Sequence, residues 1–288
     1  MRWQWLTVLI AAAAMAGCGG SGSTGSASDA APAIGSEPAP PPAVTDTTRV
    51  ASEESTQARA VEPPVVEAAD EGGALWISRD RGQQVILSAA VEPGVTVIQA
   101  LGAVADIETA YGGRFVQSIE GIEGDLTGQS DWFYLVNGIE PDVGAAELKV
   151  REGDTIWWDY RSWIDSASHP AAVVGAFPEP FRNGGTGSTR PVEVHAPPEL
   201  AEAASALDGL IGRAGEGDPH VFELVIDDGA VGATLTASMG NRNGSPVTFS
   251  LRGAASAVEG AALALADTPS LVRFRYEARF DEQGNLVQ

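Results

Sequence analysis

The chain has 288 residues, 39 acidic side chains against 17 basic ones, a formal net charge of −22 and 44% hydrophobic residues. Such an acidic surface is repelled by nucleic acid and by anionic headgroups, which excludes a nucleic-acid-binding or polybasic membrane-binding class. A single cysteine, Cys18, excludes a disulfide framework and a thiolate metal centre.

Read from the start, Arg2 is followed by Trp3 to Leu6 and then by an apolar run from Val8 to Met15. This is a positive region and a hydrophobic region of secretory-signal length. It falls short of the ~20 residues that a spanning helix needs. Met15, Ala16 and Gly17 lead directly into Cys18, so residues 1–18 resemble a bacterial lipoprotein signal. That resemblance implies cleavage before Cys18, lipid on its sulfur and amine, and a protein anchored outside the cytoplasm at a membrane surface. The alternative is an ordinary signal peptide with an incidental thiol. Residues 19–72 are dominated by Gly, Ser, Ala, Pro and Glu. Too few large apolar side chains are present to offset ordering entropy, so a disordered tether is expected. About fifty such residues reach on the order of 40 Å.

The first folded domain is expected at 73–181. "ALWIS" and "QQVILSAAV" read as two strands around a turn at Arg79 to Gly82. Val97, Leu101, Val104 and Ala105 then recur at helical spacing, with Thr96 as N-cap and Gly112–Gly113 as the stop. "RFVQSIEGIEG", "DWFYLVNGIEP" and "GDTIWWDYRSW" follow as strands, with tight-turn chemistry at Asn137–Gly138. The expectation is one mixed sheet with a helix on one face.

"GVTVIQALGAVA", "FVQSIEGIEG", "DWFYLVNGIEPDVGAAELKVREGD" and "TIWWDYRSW" resemble the transcobalamin-like C-terminal domain family, over residues 74–165 and in the right order. The resemblance implies a non-catalytic β-grasp module that binds soluble ligands. In vertebrate cobalamin carriers this domain clasps the corrinoid together with a helical barrel, which has no counterpart in the rest of this chain.

Alternation along the last aromatic strand sets Ile156, Trp158 and Tyr160 on one face and Trp157, Asp159, Arg161 and Trp163 on the other. The first set suits the core against the helix. The second combines indoles with charged groups, as a planar or heteroaromatic ligand requires. Trp132 and Tyr134 share one face of the neighbouring strand and are candidates to join it. The alternative is that these tryptophans pack beneath "IDSASHPAAVVGAFPEPF", which is apolar enough to cover them.

Residues 182–190 lose all apolar pattern and read as a linker. Residues 191–288 then give strand, helix, three strands, helix and a closing strand over 270–280, a small α/β sandwich. The whole is α+β: tether, β-grasp domain, α/β domain. His169, His195 and His220 stand apart from one another, no serine sits in a nucleophile-elbow setting, and "GGTGSTR" lacks the spacing of a P-loop. Asp125, Thr127 and Asp131 in "GDLTGQSD" are a weak calcium candidate or a solvated loop. No enzyme activity, cofactor or metal is expected. The expected function is capture of a small ligand of cobalamin or vitamin type by a lipid-anchored surface protein, with transporter subunits as further partners. The alternative is a non-enzymatic interaction or structural module of the cell envelope.

Overall fold

The structure is a computed structural model that describes Val65 and residues 72–164, 171–185, 190–240 and 244–287. Cys18, the signal and all of the tether except Val65 and Gly72 lie outside the described residues. The described chain is mixed α+β, with many strands and few helices.

Strands β1 (Gly73–Arg79) and β2 (Gln84–Val91) form an antiparallel hairpin. Its turn takes positive φ at Asp80, Arg81 and Gly82. A side chain at Gly82 would collide with the carbonyl of Phe274, so the close approach there needs glycine. Helix α1 (Val97–Val104) starts at Thr96 as the sequence suggests. Thr96 Oγ1 accepts from the Gln99 amide at 3.3 Å, and Gln99 Oε1 accepts from the Thr96 amide at 2.9 Å, a reciprocal capping box.

The helix stops earlier than the expected Gly112–Gly113. Residues with β-branched Ile107 and Thr109 turn outward as strand β3 (Ile107–Ala110), paired with β4 (Phe115–Ile119), and the two glycines serve the hairpin between them. Strand β5 (Ile122–Glu123) completes this small sheet.

Strands β6 (Ser130–Val136) and β7 (Thr155–Ser162) join the first hairpin in a four-stranded sheet of order β2-β1-β7-β6. The central pair β1 and β7 is parallel and the flanking pairs are antiparallel. Both central strands are buried on both faces, which explains their nearly unbroken apolar sequences. Beyond them, residues 172–178 and the short helix α2 (Glu179–Arg182) carry Phe177 and Phe181 into the core of the second sheet, although the sequence places them with the first domain.

The C-terminal half runs β8 (Val192–His195), α3 (Ala201–Ile211), β9 (His220–Ile226), β10 (Ala233–Met239), β11 (Val247–Gly253), α4 (Ala255–Asp267), β12 (Ala278–Phe280) and β13 (Leu286–Val287). Its six strands are ordered β13-β12-β10-β11-β9-β8. Phe222, Leu224, Leu235, Phe249 and Leu251 share a core with Leu207, Val258 and Leu265 of the two helices. Thr236, Ser250 and Arg252 alternate with them toward the opposite, more exposed face.

The strand expected over 270–280 is largely absent. Pro269–Val272 form a 3-10 turn, Phe274 has a φ of 59°, and only Ala278–Phe280 pair as strand. The reason is tertiary. Arg273 to Tyr276 form a strap laid on the first sheet, where Phe274 packs with Trp76, Trp157, Leu135, Val173 and Ala176 in a core that joins the two sheets. Burying those rings outweighs the local strand preference of the segment.

Candidate functional site

The alternation read along β7 holds, but its outward set is covered. Ile156 and Trp158 belong to the core beneath α1. Trp157, Asp159 and Arg161 are only 0%, 1% and 2% exposed. The rings of Phe274 and Tyr276 meet the Trp157 indole at 5.8 and 5.5 Å, edge to face. The Trp157 indole N–H donates to Ser78 Oγ at 2.8 Å, and Ser78 donates to Asp159 Oδ1 at 2.6 Å. Oδ1 also accepts from the Gly82 amide at 3.1 Å, while Oδ2 accepts from the Arg81 amide at 3.1 Å and the Tyr276 hydroxyl at 2.9 Å. Burial pushes the Asp159 carboxyl above its ordinary range, against the lowering effect of these bonds and of Arg161. Burial, then the charge of Asp159, pushes the Tyr276 hydroxyl upward as well. The Arg161 guanidinium lies over the rings of Phe133 and Tyr276, at 4.6 and 5.2 Å. This is a filled interface between the two sheets, and the face expected to be open to a ligand is closed. Trp163, at the end of the same strand, is half-buried.

Trp132 and Tyr134 do not join that face. Pairing of β6 with β7 sets Trp132 opposite Tyr160 and Tyr134 opposite Trp158, on the side of α1. Their rings meet at 5.3 Å and 5.1 Å, and both polar tips are used internally, Trp132 on the carbonyl of Ile122 and Tyr134 on that of Val143. The acidic loop 124–131 likewise serves itself. Asp125 Oδ1 accepts from the amides of Thr127 and Gly128, and Asp131 from that of Trp132.

Of the concavities among the described residues, one lies where the loop after β6 meets the C-terminal sheet. It has a volume of about 240 Å³ and is lined by Glu140, Asp142, Arg190, His220, Met239 and Ser245, among others. One wall is held by Asn137, which occupies a left-handed conformation with φ 52°. The Asn137 amide group donates to Asp154 Oδ1 and the Gly184 carbonyl, both at 2.8 Å, and its oxygen accepts from the Thr155 amide at 2.8 Å. Gly138 follows with φ 74°, and the Glu140 amide donates to the Ala171 carbonyl at 2.9 Å. The turn thus ties Ile139 to Val136 and Glu140 to Ala171. Burial, then the charges of Glu147, Asp142 and Glu140, raise the Tyr134 hydroxyl, a sign of how acidic this wall is.

The other side carries one cation, Arg190, and a neutral histidine. Arg190 donates to the carbonyls of Asp218, at 3.0 Å, and Gly244. His220 opens β9 and is 3% exposed. Its Nδ1 accepts from the Val247 amide at 2.9 Å, so the neutral ring carries its proton on Nε2. That N–H has no acceptor among the described residues. Burial, then the charges of Arg190 and Arg213, lower the imidazole to about 4. A signal for this residue was present in the sequence: His220, Phe222 and Leu224 alternate onto one face, and a histidine in an otherwise apolar inward set needs a partner. Arg190, Glu140, Asp142 and Ser245 carried none, because loops from distant parts of the chain bring them together. The cleft offers donors on one side and carboxylates on the other. Among the described residues no group of three or more His, Cys, Asp or Glu could hold a metal ion.

Residues 94–162, from the approach to α1 through β7, match the family described as a domain of unknown function, DUF4430. Among curated proteins nothing matches this chain. A solved structure of a protein from Ruminococcus gnavus, described provisionally as metal-binding, is similar at 15% identity over 32% of this chain and 97% of that one, with a TM-score of 0.27.

Proposed function

We propose that this protein is a lipid-anchored, extracytoplasmic binding protein without enzymatic activity, and that its small ligand occupies the cleft between the 139–142 loop and the C-terminal sheet. In this reading Cys18 is the anchor and residues 19–72 are the tether. Residues 73–181 form a transcobalamin-like β-grasp module joined by the linker 182–190 to the α/β domain of residues 191–288. A transporter that accepts the ligand is the partner class. The mixed sheet with α1 on one face supports the β-grasp assignment.

The observation that carries the reading is the mixed charge of this cleft, where Arg190 and the carboxylates of Glu140 and Asp142 line one concavity. Such a combination selects a ligand rather than merely filling space. At about 240 Å³ the cleft suits a molecule much smaller than a corrinoid. A thermal-shift screen against vitamins and small metabolites tests it. At least one compound should raise the melting temperature, and Arg190→Gln should abolish that rise. A rise that survives Arg190→Gln would place the ligand elsewhere.

A second reading has its own observation. Tyr111 and Leu126 are 84% and 85% exposed, and Phe115 beside Tyr111 is also exposed, which gives the small β3-β4-β5 sheet an apolar tip suited to protein contact.

A further inference from the structure

We infer that the outer face of the C-terminal sheet is a separate binding site for a phosphate monoester of a sugar or polyol. The phosphate sits between Arg252 and Arg279, and the hydroxyl groups of the ligand lie against Thr236 and Ser250. This site does not depend on the cleft reading.

The register of the sheet builds it. Val225, Arg252, Thr234, Arg279 and Val287 stand in one row across β9, β11, β10, β12 and β13. Partners in register share a face, so both arginines flank Thr234 on the side turned away from α3 and α4. With strands about 4.7–4.9 Å apart, each arginine starts one strand from Thr234, within reach of a single oxyanion above it. The next row sets Thr236 beside Ser250, with Glu223 beyond. The two arginines, Thr234, Thr236 and Ser250 line one concavity of about 570 Å³. Asp227 is the acidic residue of that lining, and its Oδ1 already accepts from the Gly229 amide at 3.2 Å.

Charge selects the ligand. Arg252 is exposed and makes no hydrogen bond or ion pair among the described residues. Arg279 holds Glu277 through one terminal nitrogen at 2.8 Å, but both side chains are more than half exposed, and such a surface pair is worth little. In a chain with 39 acidic and 17 basic residues, two cations beside one threonine with no acid in their row reverse the local sign. Salt screens distant carboxylates over about 8 Å, so a small anion at this row meets the arginines first. Two guanidiniums match the charge of a phosphate monoester, about −1.5 to −2 at neutral pH, and their planar forks suit its oxygens. A diester brings less charge, and a long polyanion brings charge that the rest of the acidic surface repels. Thr234, Thr236 and Ser250 each donate and accept, which suits a ligand body rich in hydroxyl groups.

The test is isothermal titration of the full chain carrying Cys18→Ala with glycerol 3-phosphate and glucose 6-phosphate, then with inorganic phosphate, the diester glycerophosphoglycerol and hexaglutamate. At least one monoester should bind. Arg252→Gln and Arg279→Gln should each weaken it by about tenfold or more, whereas Glu277→Gln, which frees Arg279, should not weaken it. Thr236→Val should weaken the ester by about threefold or more and leave inorganic phosphate unchanged. Circular dichroism should show all variants folded. If neither ester binds, or binding is indifferent to both arginine substitutions, the inference is overturned. Equally tight binding of inorganic phosphate or the diester overturns it in favour of an unselective anion site, and of hexaglutamate in favour of an acidic peptide. Arg190→Gln should leave ester binding unchanged. If it abolishes that binding, the ester belongs to the cleft, and this inference falls while the cleft reading stands.

Discussion

Asp159 collects four donors, from Ser78, Gly82, Arg81 and Tyr276, at a site 1% exposed. Asp159→Ala strands two buried hydroxyls, each of which costs about 1–3 kcal/mol when unpaired. The expected loss is therefore roughly 2–6 kcal/mol in urea unfolding, with Asp159→Asn losing less. His220 makes the opposite kind of statement. Its folded value is lowered to about 4 from an ordinary 6.5, so the folded state favours the neutral ring. The contribution is fully present above about pH 6.5 and is lost as pH falls through about 4, where the unfolded chain binds the proton more readily. Protonation of Nδ1 would also end its acceptance from the Val247 amide. Urea unfolding at pH 7, 5.5 and 4.5 should show declining stability, and His220→Gln should flatten that decline. An equal slope in the variant would assign the decline to other groups.

At the scale of elements, the sorting of β7 into two faces was legible from its period of two, and Thr96 announced the start of α1. What covered each face was not legible. Asp159 and Tyr276 are 117 residues apart, and no local pattern links them. Arg273 to Tyr276 look like strand because arginine alternates with aromatic residues, yet they serve as a strap on a foreign sheet. Trp132 and Tyr134, candidates for that face in the sequence, lie on the α1 side for a related reason. Alternation says which residues share a face of β6, but only the pairing of Trp132 with Tyr160 says which face that is. The strap has a measurable consequence. Trp157 and Trp158 are both buried, one under the strap and one under α1, so either change to alanine should cost about 3–5 kcal/mol. Had the Trp157 face been open, only Trp158→Ala would destabilise the protein. Paired denaturation curves separate the two cases.

Across the whole molecule, the two sheets are joined by apolar packing of Trp76, Trp157 and Phe274 and by the polar hub at Asp159. A sequence can show that a chain holds aromatic strands and a lone inward histidine. It does not show that the indoles will be spent on holding two sheets together. The proposed tether and anchor belong to this scale as well. Labelling expressing cells with a clickable fatty acid should mark the protein, and Cys18→Ala should remove the label. Label retained on that variant would contradict the anchor.

In the proposed reading, ligand occupies the cleft beside His220 and not the tryptophan face. Nuclear magnetic resonance of the side-chain N–H groups addresses both places in one spectrum, with pooled amino acids and vitamins added to the Cys18→Ala chain. A shift of the His220 ring N–H resonance is expected, absent in Arg190→Gln, with the Trp157 indole N–H still in its hydrogen bond to Ser78 and unmoved. A shift of the Trp157 signal with His220 silent, or silence at both, would contradict it.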